Sequence, residues 1–155
     1  MSVEENVVLM RRWFKEVWNE GRLQTIYDLM DENGIAVGQD QPGVEIRGPR
    51  EFEMFVNRIR GAFPDQKITL EDAFGADDKV VIRWSATMTH TGDGLGFPPT
   101  KKPVKVNGIS IAQFENGKIV RGWDNWDQLA LMQQLGVIAV PASPGTPSKA
   151  AAART

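Results

Sequence analysis

The sequence predicts an α+β fold, a cone in which three N-terminal helices close over the concave face of a curved antiparallel sheet. Three features of the 155-residue chain point there. Apolar residues recur at three- and four-residue spacing through the first third, and from Lys67 onward they alternate as half-buried strands do. Between the last two apolar runs, Glu115-Asn116-Gly117-Lys118 has the composition of a tight hairpin turn.

The first helix carries Val3, Val7, Met10, Phe14, Val17 and Trp18, and Gly21 is a left-handed stop. Leu23, Ile26, Tyr27 and Met30 form the stripe of a second, short helix. Gly34 to Gly38 then reads as a short strand leading into the polar loop Gln39-Asp40-Gln41-Pro42-Gly43. Pro49 opens a third helix with the face Phe52, Phe55, Val56, Ile59 and Phe63, ended by Pro64-Asp65. Four strands follow, over 67–74, 79–91, 103–114 and 118–125, and strands met in succession favour antiparallel neighbours. Asp127 caps a final helix carrying Leu129, Leu131, Met132 and Leu135, which Gly136 terminates.

A chain of this length supports one domain with a core and a pocket. Residues 1–139 are assigned to that domain, and the Pro-, Ser- and Ala-rich stretch 140–155 to a disordered tail. A formal charge of −2 with scattered Lys and Arg gives no footprint for nucleic acid or an anionic membrane surface. There is no cysteine, hence no disulfide or thiolate site, and with one histidine and no helical acid–histidine pair a catalytic metal is not expected. The acidic start Met-Ser-Val-Glu-Glu is unlike a signal peptide, and no apolar run is long enough to span a bilayer, so the expected location is the cytoplasm.

The functional lead is Asp124, set among small residues in an otherwise apolar run. A carboxylate on the buried side of a sheet has its charged form disfavoured, which raises its pKa and makes it a usable base. Its direction depends on the hairpin. A two-residue Asn-Gly loop is one possibility, and a three-residue loop with Gly117 left-handed and a bulge is the other. The second places Gly108 opposite Asp124 and Ser110 opposite Gly122, so that Gly108, Ser110, Ala112, Gly122 and Asp124 share one face and leave room for a ligand. The opposite face then holds Ile109, Ile111, Ile119 and Trp123, an apolar surface that needs a cover. This register keeps the two sets apart and is the one expected.

Ala62-Phe63-Pro64-Asp65, Thr89-His90-Thr91-Gly92, Gly96-Phe97-Pro98-Pro99-Thr100, Phe114-Glu115-Asn116-Gly117-Lys118-Ile119-Val120, Trp123-Asp124 and Gln133-Gln134-Leu135-Gly136 occur in the order and spacing of the SnoaL-like polyketide cyclase family, of the nuclear transport factor 2-like cone folds. The chain resembles that family over roughly residues 5 to 137. The resemblance implies cofactor-free chemistry in the cone, in which an aspartate on the last strand, here Asp124, takes a proton from an activated carbon for an intramolecular aldol ring closure. It also implies a small hydrophobic or polyketide-like substrate. The chain departs from the pattern at Ser110, where many members carry histidine, at Gln39, where they carry histidine or asparagine, and at Arg121, where glutamate is frequent. Ser110 and Gln39 can still donate hydrogen bonds to an enolate oxygen but cannot change charge near neutral pH.

The remaining positions carry two readings each. Asp127 is a helix cap before it is a catalytic group. His90, the only histidine, is a loop residue or, through the His-Thr-Gly match, a residue of the pocket rim. Trp84 and Met88 share strand parity with Val80 and Ile82 and either line a ligand chamber or fill a core. Trp126 packs on the final helix or on the ligand. The resulting expectation is a lyase- or isomerase-like enzyme with Asp124 as general base and Gln39, His90, Ser110, Trp84, Met88 and Trp126 contacting substrate, needing neither cofactor nor metal. A different reaction in the same cone (isomerisation, dehydration, epoxide hydrolysis or cofactor-free hydroxylation) and a non-catalytic binding module are the alternatives. The apolar sheet face predicts a homodimer or higher homo-oligomer.

Overall fold

The computed structural model describes residues 1–139. The stretch assigned to a tail, 140–155, lies outside the described residues. Helix α1, Val3–Trp13, starts in a reciprocal cap in which Glu5 N–H donates to Ser2 Oγ and Ser2 N–H to the Glu5 carboxylate. It continues without a break as a π-helical segment, Phe14–Asn19, and Gly21 follows at φ 69°. Trp13, Phe14, Val17 and Trp18 are all buried there. Next come α2 (Gln24–Leu29), β1 (Met30–Val37), β2 (Glu45–Arg47) and α3 (Gly48–Ala62). Strands β3 (Lys67–Ala76), β4 (Lys79–Thr89), β5 (Pro103–Glu115) and β6 (Lys118–Trp126) precede α4 (Gln128–Gln134), whose N-terminus is capped by Asp127 accepting from Ala130 N–H at 2.9 Å.

One curved sheet carries all six strands in the order β2-β1-β6-β5-β4-β3. The α+β cone expected from the sequence is therefore the fold observed, with corrections to its sheet. The sheet is mixed, because β1 runs parallel to β6, while the other neighbours are antiparallel. Parallel strands need a crossover, and here nearly the whole chain between them supplies it. The short strand β2 falls where no strand is expected, pairing with β1 from Ile35–Arg47 to Val37–Glu45.

The alternation of β4 and β5 sets the two faces. Val80, Ile82, Trp84, Ala86 and Met88 are buried under the helices together with Val104, Val106, Ser110, Ala112 and Phe114, while Arg83, Thr87, Lys105 and Asn107 face out. Trp13, Trp18, Phe52 and Phe55 meet edge to face at 5.0–6.0 Å between ring centres and form the helical wall of the core.

The β5–β6 hairpin differs from the expected register. Asn116 and Gly117 make a two-residue loop with both φ positive, 49° and 75°, so Glu115 pairs with Lys118. Val120 then bulges, and beyond it Gln113 faces Arg121, Ala112 faces Gly122, Ser110 faces Asp124 and Gly108 faces Trp126. The expected grouping of small residues around Asp124 survives, but Ser110 rather than Gly108 stands opposite the acid. Ile119, expected on the outer face, lies on the turn side of the bulge, pairs with Phe114 and is buried.

Candidate active site

Helices and sheet enclose a cavity of about 90 Å³, counted as space for the centres of water-sized molecules. One water needs roughly 10–15 Å³ on such a measure, so the space admits a small organic molecule. Its wall is apolar, with eight aromatic side chains among the lining residues. Only Gln39, Gln66, Ser110 and Asp124 add other polar side chains.

Asp124 reaches the cavity because the Val120 bulge turns its side chain to the concave face. The residue as a whole is half-buried, yet Oδ1 is shut off from solvent and receives no hydrogen bond. Desolvation pushes the carboxyl up to about 7; the side chains of Ser110 and Gln39 oppose the shift, favouring the charged form without closing a hydrogen bond onto Oδ1.

Ser110 is itself held. Trp84 Nε1–H donates to its Oγ at 3.0 Å in a buried bond, which uses an acceptor position of the hydroxyl and leaves its proton for the carboxylate across the strand pair. Replacing Ser110 with alanine removes that donor and is expected to raise the Asp124 midpoint further, as read by carbon-detected NMR titration of the carboxyl. A midpoint that stayed in place or fell would contradict the assignment.

Gln39 is delivered by the end of β1. Gly38, at φ 81°, passes so close to β6 that a Cβ there would lie 1.9 Å from the Asp124 carbonyl oxygen. The loop beyond is clamped from two sides: Trp126 Nε1–H donates to the Gln39 carbonyl at 2.9 Å and Gln128 Nε2–H to the Asp40 carbonyl at 2.8 Å, while Arg58 of α3 pairs with the Asp40 carboxylate at 2.7 Å. Trp84, Met88 and Trp126 line the cavity as well, so of the seven residues expected at the site six are brought together.

His90 is the exception. It does not line the cavity; it is fully buried between Phe63 and Phe97, at 5.4 and 5.3 Å between ring centres. Its Nδ1 accepts from Thr100 N–H at 3.0 Å, so in the neutral ring the proton sits on Nε2, which is buried without a partner. The expected rim residue is instead the anchor of the loop 91–100. That loop packs on the end of α3, with Thr91 and Gly92 N–H both donating to the Ala62 carbonyl. Gln66, conversely, goes unnoticed in the sequence, although its parity with Ile68 and Leu70 on β3 carries the signal. Among the described residues no group of three or more His, Cys, Asp or Glu is placed to hold a metal ion, and no helix is long and apolar enough to cross a membrane.

The model of the SnoaL-like polyketide cyclase family matches residues 8–135. The chain belongs to this family. Several solved structures share the fold of the SnoaL-like chain. A polyketide cyclase candidate from Acidithiobacillus ferrooxidans is 29% identical with TM-score 0.74, covering 90% of this chain and all (100%) of that one. TsrD from Streptomyces laurentii is 27% identical with TM-score 0.77, covering 89% and 99%. AclR, a hydroxylase candidate from Streptomyces galilaeus, is 23% identical with TM-score 0.77, covering 93% and 88%, and speaks to the fold alone. No curated protein matches. The SnoaL-like resemblance read from six short segments is thus borne out for family and for fold.

Proposed function

We propose that the protein is a cofactor-independent cyclase in which Asp124 removes a proton alpha to a carbonyl of a small, largely apolar substrate. The observation that carries this reading is the unpartnered, desolvated Oδ1 of Asp124 on the wall of an aromatic cavity, with the carboxyl poised at about 7. The proton passes to the carboxylate as the Cα–H bond breaks, and the enolate carbon closes on a second carbonyl of the same molecule. The new alkoxide then takes a proton back, so the product is an isomer of the substrate and nothing is oxidised or reduced. As Asp124 is protonated it becomes a poorer acceptor, which releases the Ser110 hydroxyl and the Gln39 amide toward the developing oxyanion. The family supports ring closure over the other proton transfers that the same base could serve. Asp124→Asn tests it: turnover should collapse while the fold and cavity remain, whereas a variant that turned over normally would leave a binding module as the better reading.

We also propose that the convex sheet face joins two copies of the chain. Phe74, Val81, Ile111 and Trp123 stand in register across β3, β4, β5 and β6, with Ile109 48% and Phe74 58% exposed nearby. Arg121 covers only part of this row, its guanidinium lying 5.5 Å from the Trp123 ring. Sedimentation at micromolar concentration should give a dimer that Ile111→Glu dissociates, and a monomeric parent protein would overturn the assignment.

A further inference from the structure

Gly108 lies in the interior of β5, where glycine weakens a strand because it has the most freedom to lose and no side chain to pack. Its conformation does not ask for glycine, since its φ is not in the left-handed region. The sequence expects it to leave room for a ligand, yet it is buried and does not line the cavity. What fills the space over its Cα is the Trp84 indole. Trp84 pairs with Gly108 across β4 and β5, while its Nε1–H donates to Oγ of Ser110, two residues further along β5, so the ring crosses Gly108 on the diagonal. A Cβ at 108 would lie 2.5 Å from Cζ2 and 2.9 Å from Cε2 of that ring, the second bonded directly to Nε1, and 2.6 Å from Trp126 Cβ on the β6 side. Trp126 Cβ is fixed to its own backbone, so the indole would have to give way and its donor would leave Ser110.

We propose that Gly108 is a positioning residue: by leaving its place to the Trp84 indole, it lets that ring hold the Ser110 hydroxyl with its proton toward Asp124. Each bond in such a chain strengthens the next, because a hydroxyl that accepts becomes a better donor. Asp124 is the only ionisable side chain among the residues lining the cavity, so its titration reads this arrangement without a second charge beside it. The assignment rests on the reading of Asp124 as base for its effect on turnover, and on geometry alone for its effect on the carboxyl.

Carbon-detected NMR titration of the Asp124 carboxyl in the full chain tests this without a substrate. Trp84→Phe keeps an aromatic ring and removes the donor, and Gly108→Ala keeps the donor and displaces it. Each should raise the midpoint by about half a pH unit, the size expected when a hydrogen bond to a charged group is weakened rather than lost. Combined, they should do no more than Trp84→Phe alone. In a Ser110→Ala background neither should move the midpoint, because both act through that hydroxyl. A glycine needed only for packing would, when replaced, lower stability and leave the midpoint in place. That result, or a shift in Ser110→Ala as large as in the parent protein, would overturn the assignment. Where Gly108→Ala alone does not fold, the double variant with Trp84→Phe should fold and titrate as Trp84→Phe does; a double variant that stayed unfolded would put the clash elsewhere and overturn the assignment as well. Turnover surviving in Asp124→Asn would remove the base, and the midpoints would still decide Gly108.

Discussion

Asp124→Asn is expected to lower turnover by roughly two to four orders of magnitude, the loss typical of a positioned general base. The amide is close in size and can still face Ser110 across the strand pair, so a loss of this kind reports proton transfer rather than collapse of the site. The pH dependence separates the two further. A base must be ionised to act, and the carboxyl titrates near 7, so kcat/KM of the parent protein should climb with pH up to about that value and level off above it. The residual rate of the variant should be flat over the same range. An unchanged rate would end the proposal, and a rate limb well below pH 7 would assign the proton transfer to another group. Measurement requires a substrate with an acidic carbon beside a carbonyl, and hydrogen–deuterium exchange at that carbon reads the step even where ring closure does not follow.

The same substitution should stabilise the protein, and only at higher pH. Burial raises the folded-state pKa of Asp124 from 3.8 to about 7. Between those values the folded protein holds a proton that the unfolded chain has released, so stability falls as pH rises through this window and is level above it. Each tenfold change in proton affinity is worth about 1.4 kcal/mol, so a rise of this size amounts to ~4 kcal/mol. Asparagine carries no such charge. The variant should match the parent protein near pH 4 and exceed it by several kcal/mol at pH 8.5, on the order of ten degrees in Tm for a domain of this size. Calorimetry at the two pH values decides it: a variant no more stable at pH 8.5, or equally shifted at both, would mean that Asp124 is not desolvated. A gain in stability together with a loss of turnover is the pattern of a group kept for chemistry.

Most of the architecture is written in local pattern. The stripe Phe52, Phe55, Val56 and Ile59 behind Pro49, the alternation of β4 and the cap at Asp127 each concern neighbours within a turn or a strand, where spacing alone decides which side is wet. What escapes are features fixed from a distance. Nothing in residues 30–37 announces that they lie parallel to 119–123. His90 looks like a loop histidine until Phe63 and Phe97 close on it from α3 and from the following loop. Asp124 itself is legible for a compound reason: the small residues around it mark a face with space, and either a three-residue turn or a two-residue turn plus a bulge brings it to that face. The identity of its partner depends on which occurs, which is why Ser110 rather than Gly108 stands across from it.

Val120 therefore does for the last strand what a single inserted base does for a reading frame. Pairing it regularly with Gln113, with no bulge, would leave the Asn116-Gly117 turn intact but turn everything from Arg121 to Trp126 to the other face, sending the acid to solvent and an arginine and an indole into the chamber. A hairpin lacking that one residue would keep Ser110 opposite Asp124 in a regular ladder, so a chain of this length holds its acid inward only while the kink at Val120 persists.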